Sequence, residues 1–235
     1  MTSDSLLIVI PARGGSQRLT RKALRPVAGR ALLWYTFDYV RWLGLSQSAV
    51  VITDDAEIAD YTRVAGGGIG VVREPPVERE SAPRAVYRAV QAARTAGTHF
   101  THVCHLQPTC PVRSVDLVGR CLRAVEPPFD TAISVVNARI HPEWCMQIDA
   151  NGLPTTRGRG GLSQELPQWY EPSGCCYCYR AEVFDLEPPD AVSFIAQRTR
   201  RAVVHDDPHC DIDTQADLDW FEYLVRTGRT IWRPV

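Results

Sequence analysis

The chain has 235 residues, 26 Lys and Arg against 27 Asp and Glu, a net charge of −1 and 45% hydrophobic residues. That length suits one large core better than two, and the balanced charge excludes a general nucleic-acid binder, which would be strongly basic. No apolar run reaches the length of a membrane span, and the polar opening Met1-Thr2-Ser3-Asp4 is unlike a signal peptide, so a cytoplasmic location is expected.

The first predicted element is a buried strand over 6–10. It runs into Pro11-Ala12-Arg13-Gly14-Gly15-Ser16-Gln17-Arg18-Leu19-Thr20-Arg21-Lys22. Gly14 and Gly15 put no Cβ in a ligand's way, so this loop is expected to turn its N–H groups into an anion nest. Arg13, Arg18, Arg21 and Lys22 surround it with positive charge, which suits a polyphosphate. The plainer alternative is a strand-to-helix turn with solvated arginines. The G-x-x-x-x-G-K-S/T and G-x-G-x-x-G patterns are absent, and no acidic residue is expected at the end of a second strand to hold a ribose. Kinase, motor and dehydrogenase readings lose their support.

Further strands are predicted at 49–53, 70–72, 101–106, 131–135 and 202–205. Helices are predicted at 31–42, 56–65, 83–96, 115–125 and 215–227. In the last helix, Phe221, Leu224 and Val225 form one buried stripe. Near-continuous apolar strands alternating with helices give an α/β class: a single Rossmann-like domain over 1–235, with a mostly parallel sheet covered on both faces. Ligands of such sheets bind at the strands' carboxyl ends, where the Arg13 loop lies. The stretch at about 136–180 breaks the alternation. Its turn signals and short strand-like runs predict a β-rich inserted arm that covers the cleft or grips a second subunit. Trp144, Trp169, Tyr170, Tyr177 and Tyr179 are its apolar anchors.

The eight cysteines lack framework spacing. Cys175, Cys176 and Cys178, with His205, His209 and Cys210, raise zinc as an alternative. No C-x-x-C pair occurs, however, and core thiols are the expectation.

Near the carboxyl end stands Asp211-Ile212-Asp213-Thr214-Gln215-Ala216-Asp217-Leu218. If it is extended, Asp211 and Asp213 share a face with Cα atoms roughly 7 Å apart, and Ile212 points into the core. Thr214 and Asp217 form an expected capping box. Two carboxylates at a rigid strand end suit Mg²⁺ that also binds phosphate oxygens; the alternative is negative charge that merely favours a helix start.

Three segments resemble the cytidylyltransferases that make CMP-activated sugar acids, the acylneuraminate cytidylyltransferases (CMP-sialic acid synthetases), with CMP-octulosonate synthetases as relatives. Ile10-Pro11-Ala12-Arg13-Gly14-Gly15-Ser16 with Lys22 resembles the family's nucleotide loop. Leu106-Gln107-Pro108-Thr109-Cys110-Pro111-Val112-Arg113 resembles its L-Q-P-T-S-P-L-R element, and Asp211-Ile212-Asp213-Thr214 with Asp217-Leu218 its D-I-D-T-x-x-D-L. A weaker echo runs from Gln164-Glu165-Leu166-Pro167 to Tyr179, in the family's dimerisation arm.

The resemblance implies a homodimer that transfers CMP from CTP to an acidic acceptor and releases pyrophosphate. It places Ala12, Arg13, Gly14, Gly15, Ser16, Lys22 and Arg73 at the nucleotide, and Gln107 at the acceptor. Asp211 and Asp213 take Mg²⁺, and Arg13, Lys22 and Asp213 serve catalysis. Several positions depart from the family pattern: Gln17 replaces a lysine, Ala23 an asparagine, and Leu162-Ser163 stand where an arginine precedes Gln-x-Leu-Pro. Arg157 or Arg159 is a candidate replacement for that cation. The altered stretch after Arg73 carries Arg79 and Arg84 as further cations. Two acceptor classes follow, a nonulosonic or octulosonic sugar acid and a small phosphonate-type acid, and a non-catalytic nucleotide-binding relative is the remaining alternative.

Overall fold

The computed structural model describes residues 5–15, 18–76, 81–156, 158, 162, 164–185, 200–205 and 210–229. In chain order these form β1 (Leu6–Pro11), β2 (Pro26–Val27), β3 (Arg30–Ala31), α1 (Leu32–Trp42), β4 (Ala49–Thr53), α2 (Ala56–Ala65), β5 (Gly70–Arg73) and α3 (Ala82–Thr95). There follow β6 (His102–His105), α4 (Leu117–Ala124), β7 (Thr131–Asn137), β8 (Met146–Ile148), β9 (Pro154–Thr156), β10 (Tyr170–Arg180), β11 (Arg200–Val204) and α5 (Gln215–Arg226).

Seven strands make one sheet in the order β11-β7-β10-β6-β1-β4-β5, and every pairing is parallel except the two made by β10. Both faces are covered, which is why β1 is an unbroken apolar run. Leu6, Ile8 and Ile10 pack with Leu33 and Phe37 of α1, Val118 of α4 and Phe221 of α5. Leu7 and Val9 face the other way, onto Ala85, Val86 and Ala89 of α3. The six strands other than β10 end on one edge, so the loops after β1, β4, β5, β6 and β7 gather there.

The segment expected as an arm divides in two. Residues 170–180 form β10, an antiparallel strand inserted between β6 and β7, with Tyr177 opposite His105 and Ile133. Only 138–169 leaves the sheet, and it carries the β8–β9 hairpin. β10 gives no clean alternation because most of it is buried on both faces and its register shifts between Pro172 and Tyr177.

Seven cysteines are buried and Cys145 is exposed. Cys104, Cys176 and Cys178 pack together, with sulfur separations of 3.6 Å and 3.8 Å, as the core-thiol expectation has it. His209 lies outside the described residues.

His105, at the end of β6, is fully buried and stacks on Tyr177 with ring centroids 5.2 Å apart. Burial, aided by the Arg113 charge, lowers its pKa to about 3. The unfolded chain therefore takes up a proton near pH 6.5 that the folded chain refuses. This contribution to stability is full above pH 6.5 and is lost as pH falls toward 3, by up to about 1.4 kcal/mol per unit. Urea unfolding at pH 7 and pH 5 should show that loss in the wild type, and His105→Phe should reduce it.

Candidate active site

The first turn after β1 is held from below. The Ala12 N–H donates to the Ile52 carbonyl (3.0 Å), and the Gly14 N–H donates to Asp54 Oδ1 (3.0 Å). Asp54 and Asp55 follow the second parallel strand. Neither is set out for a ribose: Asp54 takes the Gly14 amide, and Asp55 caps α2 through the N–H groups of Glu57 (2.8 Å) and Ile58 (3.1 Å). A Cβ at position 14 would collide with the Asp55 carboxylate. Gly14 is thus required by close approach and not by a left-handed turn, and its amide is not part of an anion nest. Gly15 has no atom near its missing Cβ, while Ser16 and Gln17 lie outside the described residues.

The loop's cations separate. Arg13 is half-buried and lines a narrow cleft with Thr53, Asp54, Pro75 and Arg88. Arg21, with a left-handed φ of 56°, turns away from the expected nest onto Glu57, whose hydrogen bond and charge raise the guanidinium pKa. Lys22 goes the opposite way. Its Nζ donates to Asp213 Oδ1 (2.8 Å) and to the Ile212 carbonyl (2.6 Å), and Arg18 also pairs with Asp213. Ala23 points into the core.

The central element joins the same place. The Ile212 N–H donates to the Thr109 carbonyl (2.8 Å), and the Cys110 thiol donates to Asp211 Oδ1 (3.4 Å). A hydrogen bond with Cys175, burial and the Asp211 charge push the Cys110 thiol up, so it remains a donor. Gln107 lies just beyond β6, its Oε1 beside Gly174 at a left-handed φ of 74°. Arg73 ends β5, exposed at the outer strand.

Ile212 is fully buried between Asp211 and Asp213, as expected of an extended segment. The capping box is present: Thr214 Oγ1 accepts from the Asp217 N–H (3.3 Å), and Asp217 Oδ2 accepts from the N–H groups of Asp213 (3.0 Å) and Thr214 (2.7 Å). Burial alone would raise the Asp217 carboxyl; the Thr214 hydroxyl and these amides outweigh it and hold the pKa below the ordinary range. Asp217 is therefore a cap that fixes the backbone of Asp213.

Asp211 and Asp213 offer hard oxygen donors on either side of one buried residue. That donor set fits a cation completing its shell with phosphate oxygens and water. In this structure Lys22 and Arg18 stand on Asp213 instead.

Arg113 is a residue for which sequence reasoning gave no role. Its guanidinium is fully buried and donates to the carbonyls of Gln107 (2.6 Å) and Cys175 (2.9 Å) and to Thr36 Oγ1 (3.4 Å). It ties the acceptor element to β10 and α1. A single charge in a proline-rich apolar run was the available signal.

Similarity to known proteins agrees with this geometry. The model of the family described as "Cytidylyltransferase" matches residues 7–140, more than half of the chain. A pseudaminic acid cytidylyltransferase of Campylobacter jejuni is 25% identical over 236 residues, covering 94% of this chain and 97% of that protein. A CMP-N,N'-diacetyllegionaminic acid synthase of Legionella pneumophila is 28% identical over 149 residues, which span 63% of this chain and 64% of that relative's length. The fold is similar to a CMP:2-keto-3-deoxy-manno-octonic acid synthetase solved with CTP, with a TM-score of 0.67, 19% identity, and coverage of 95% and 99% of the two chains. With its three motifs meeting at one sheet edge and a family model spanning most of its first 140 residues, the chain belongs to the cytidylyltransferase family.

Proposed function

We propose that this chain transfers CMP from CTP to a nonulosonic-type sugar acid and releases pyrophosphate. The observation that carries the proposal is the direct bonding of all three motifs: Lys22 to Asp213, and Ile212 to Thr109. A cationic loop, an acidic pair and the Gln107 element thereby share one edge.

In this reading Ala12, Arg13, Gly15 and Ser16 line the phosphates, and Arg73 helps seat the nucleotide. Gln107 faces the acceptor. Lys22 and Arg18 pass from Asp213 to the β- and γ-phosphates and steady the leaving pyrophosphate. Asp211 and Asp213 hold Mg²⁺, which supplies charge neutralisation at the phosphate oxygens. The acceptor hydroxyl attacks the α-phosphorus in line, so orientation and charge stabilisation supply most of the rate. CTP supply and unpaired thiols both suit a cytoplasmic setting.

The arm extends the proposal to a homodimer. Ile140, Met146, Ile148, Leu153 and Leu162 are exposed on one short insertion, which suits burial against a second copy.

Pyrophosphate release with each of the four nucleotides, against sugar acids and phosphonates, tests the activity; release should require CTP, an acid acceptor and Mg²⁺. Asp213→Asn should lower turnover by about 100-fold or more and, by leaving the enclosed Lys22 ammonium without its carboxylate, also lower the urea midpoint; unchanged turnover in the folded variant would remove Asp213 from the reaction. For the dimer, the double substitution Met146→Asp with Ile148→Asp should give a monomer in sedimentation velocity, and a persistent dimer would move the interface elsewhere.

A further inference from the structure

Four of the buried cysteines meet on one face of the sheet. The antiparallel pairing sets Cys178 of β10 directly opposite Cys104 of β6. Cys176, two residues earlier on the same strand, presents its sulfur to the same face. The Cys104 and Cys176 sulfurs are 3.6 Å apart, those of Cys176 and Cys178 are 3.8 Å apart, and all three lie within 4.8 Å of one another. α4 covers this face and brings Cys121 into hydrogen-bonding reach of Cys176 and Cys178. Each of the four residues is fully buried. Cys175, which the sequence associated with zinc, is not among them; its thiol donates to the Val112 carbonyl (3.4 Å).

The spacing is that of a coordination shell. Zn–S bonds of about 2.3 Å in a tetrahedron put neighbouring sulfurs about 3.8 Å apart. The three sulfurs on the sheet form one face of such a tetrahedron, and Cys121 on the helix supplies the fourth corner. Core packing explains any one of these contacts, since a free thiol packs as a small apolar group. It gives no reason for four sulfurs to converge. The donors are sulfur alone, which excludes Mg²⁺ and favours a softer ion, and the close spacing encloses one ion with no room for an iron–sulfide cage.

The surroundings carry charge that such a centre needs. Four thiolates around a divalent ion leave two negative charges in the core. The fully buried Arg113 guanidinium, bonded to carbonyl and hydroxyl oxygens, is close enough to act on them. Hydrogen bonds from Cys176 and Cys178 lower the Cys104 thiol, burial opposes them, and the Arg113 charge assists. Hydrogen bonding with Cys176 raises the Cys121 thiol, and the Arg120 charge opposes that rise.

We propose that Cys104, Cys121, Cys176 and Cys178 bind one structural Zn²⁺. Because all four sulfurs are out of solvent, the ion enters as β10 and α4 dock, and each thiol gives its proton to solvent as it binds. The ion takes no part in phosphate chemistry. It fastens β6, β10 and α4 together beneath the Gln107 element, and its sulfur ligands keep it distinct from the oxygen site proposed for Mg²⁺.

The test uses the full chain, produced in medium supplemented with Zn²⁺ and gel-filtered in excess Mg²⁺ to displace ions from oxygen sites. It should carry about one zinc per chain by mass spectrometry, and unfolding in guanidinium should release that zinc to a colorimetric chelator. Protein produced with Co²⁺ instead should show the intense near-ultraviolet sulfur-to-cobalt charge-transfer band, which carboxylate ligands do not give. Cys121→Ser and Cys176→Ser should each hold zinc at least ~10-fold more weakly and unfold at lower urea. Cys145→Ser, at the exposed cysteine, should match the wild type in both respects. The wild-type measurements stand whether or not the core variants fold. Absence of zinc from the wild type, or a cobalt form without the band, overturns the site and leaves packed core thiols only. Zinc held at wild-type affinity in both core variants overturns this ligand set. None of these results bears on CMP transfer.

Discussion

The bond between Lys22 and Asp213 is the constraint on which the site depends. It joins residues 191 positions apart and fixes the first loop against the start of the last helix. The Lys22 side chain is only 12% exposed, and an ammonium so enclosed is costly unless a carboxylate faces it. Asp213 supplies that charge, and the neighbouring Ile212 carbonyl supplies a second acceptor. The pair is also two halves of a proposed ligand site held together. A triphosphate would take the cations and a divalent ion the carboxylate, so each charge changes partner without being left bare. Balanced charge before and after binding keeps both members of the pair compensated.

A second layer, beneath the first, holds that arrangement in place. Asp217 fixes the backbone at Asp213 through its capping contacts, and Ile212 anchors the segment to Thr109. Arg113 then secures the carbonyls of Gln107 and Cys175. A buried guanidinium bonded to carbonyl and hydroxyl oxygens is an expensive choice, and what it achieves is one position for the loop after β6, β10 and α1. Cys110 belongs to this layer too. Its sulfur occupies the space that a side chain at Gly174 would need, so a thiol at 110 and a glycine at 174 are matched.

The parallel core was legible because each of its signals is local. Continuous apolar runs mark buried strands, and stripes at helical spacing mark the helices, so β4 and α2 have the bounds their residues suggest. The Thr214–Asp217 box was legible for the same reason. β10 was harder to place because its position between β6 and β7 is a matter of long-range pairing, which no local pattern encodes. The fate of the loop cations was equally non-local. Arg21 and Lys22 are adjacent in the chain, yet one turns to Glu57 on α2 and the other to Asp213 before α5. Gly14 was picked out for its missing side chain, but the reason is the Asp55 carboxylate, 41 residues on in the numbering.

The division between sheet edge and insertion also assigns different work to different parts of the chain. The connection from β4 to α2 is short, and the chain leaving β1 and β6 is tied to the sheet at once by the Ala12–Ile52 and Leu106–Val9 backbone hydrogen bonds, as a triphosphate site requires. The segment 138–169 presents aromatic and aliphatic side chains outward. The family model's match stops at Ile140, where this segment begins. Under the proposed function, phosphate handling falls to the matched core, while acceptor choice and partner contact fall to an appendage that can change without disturbing it.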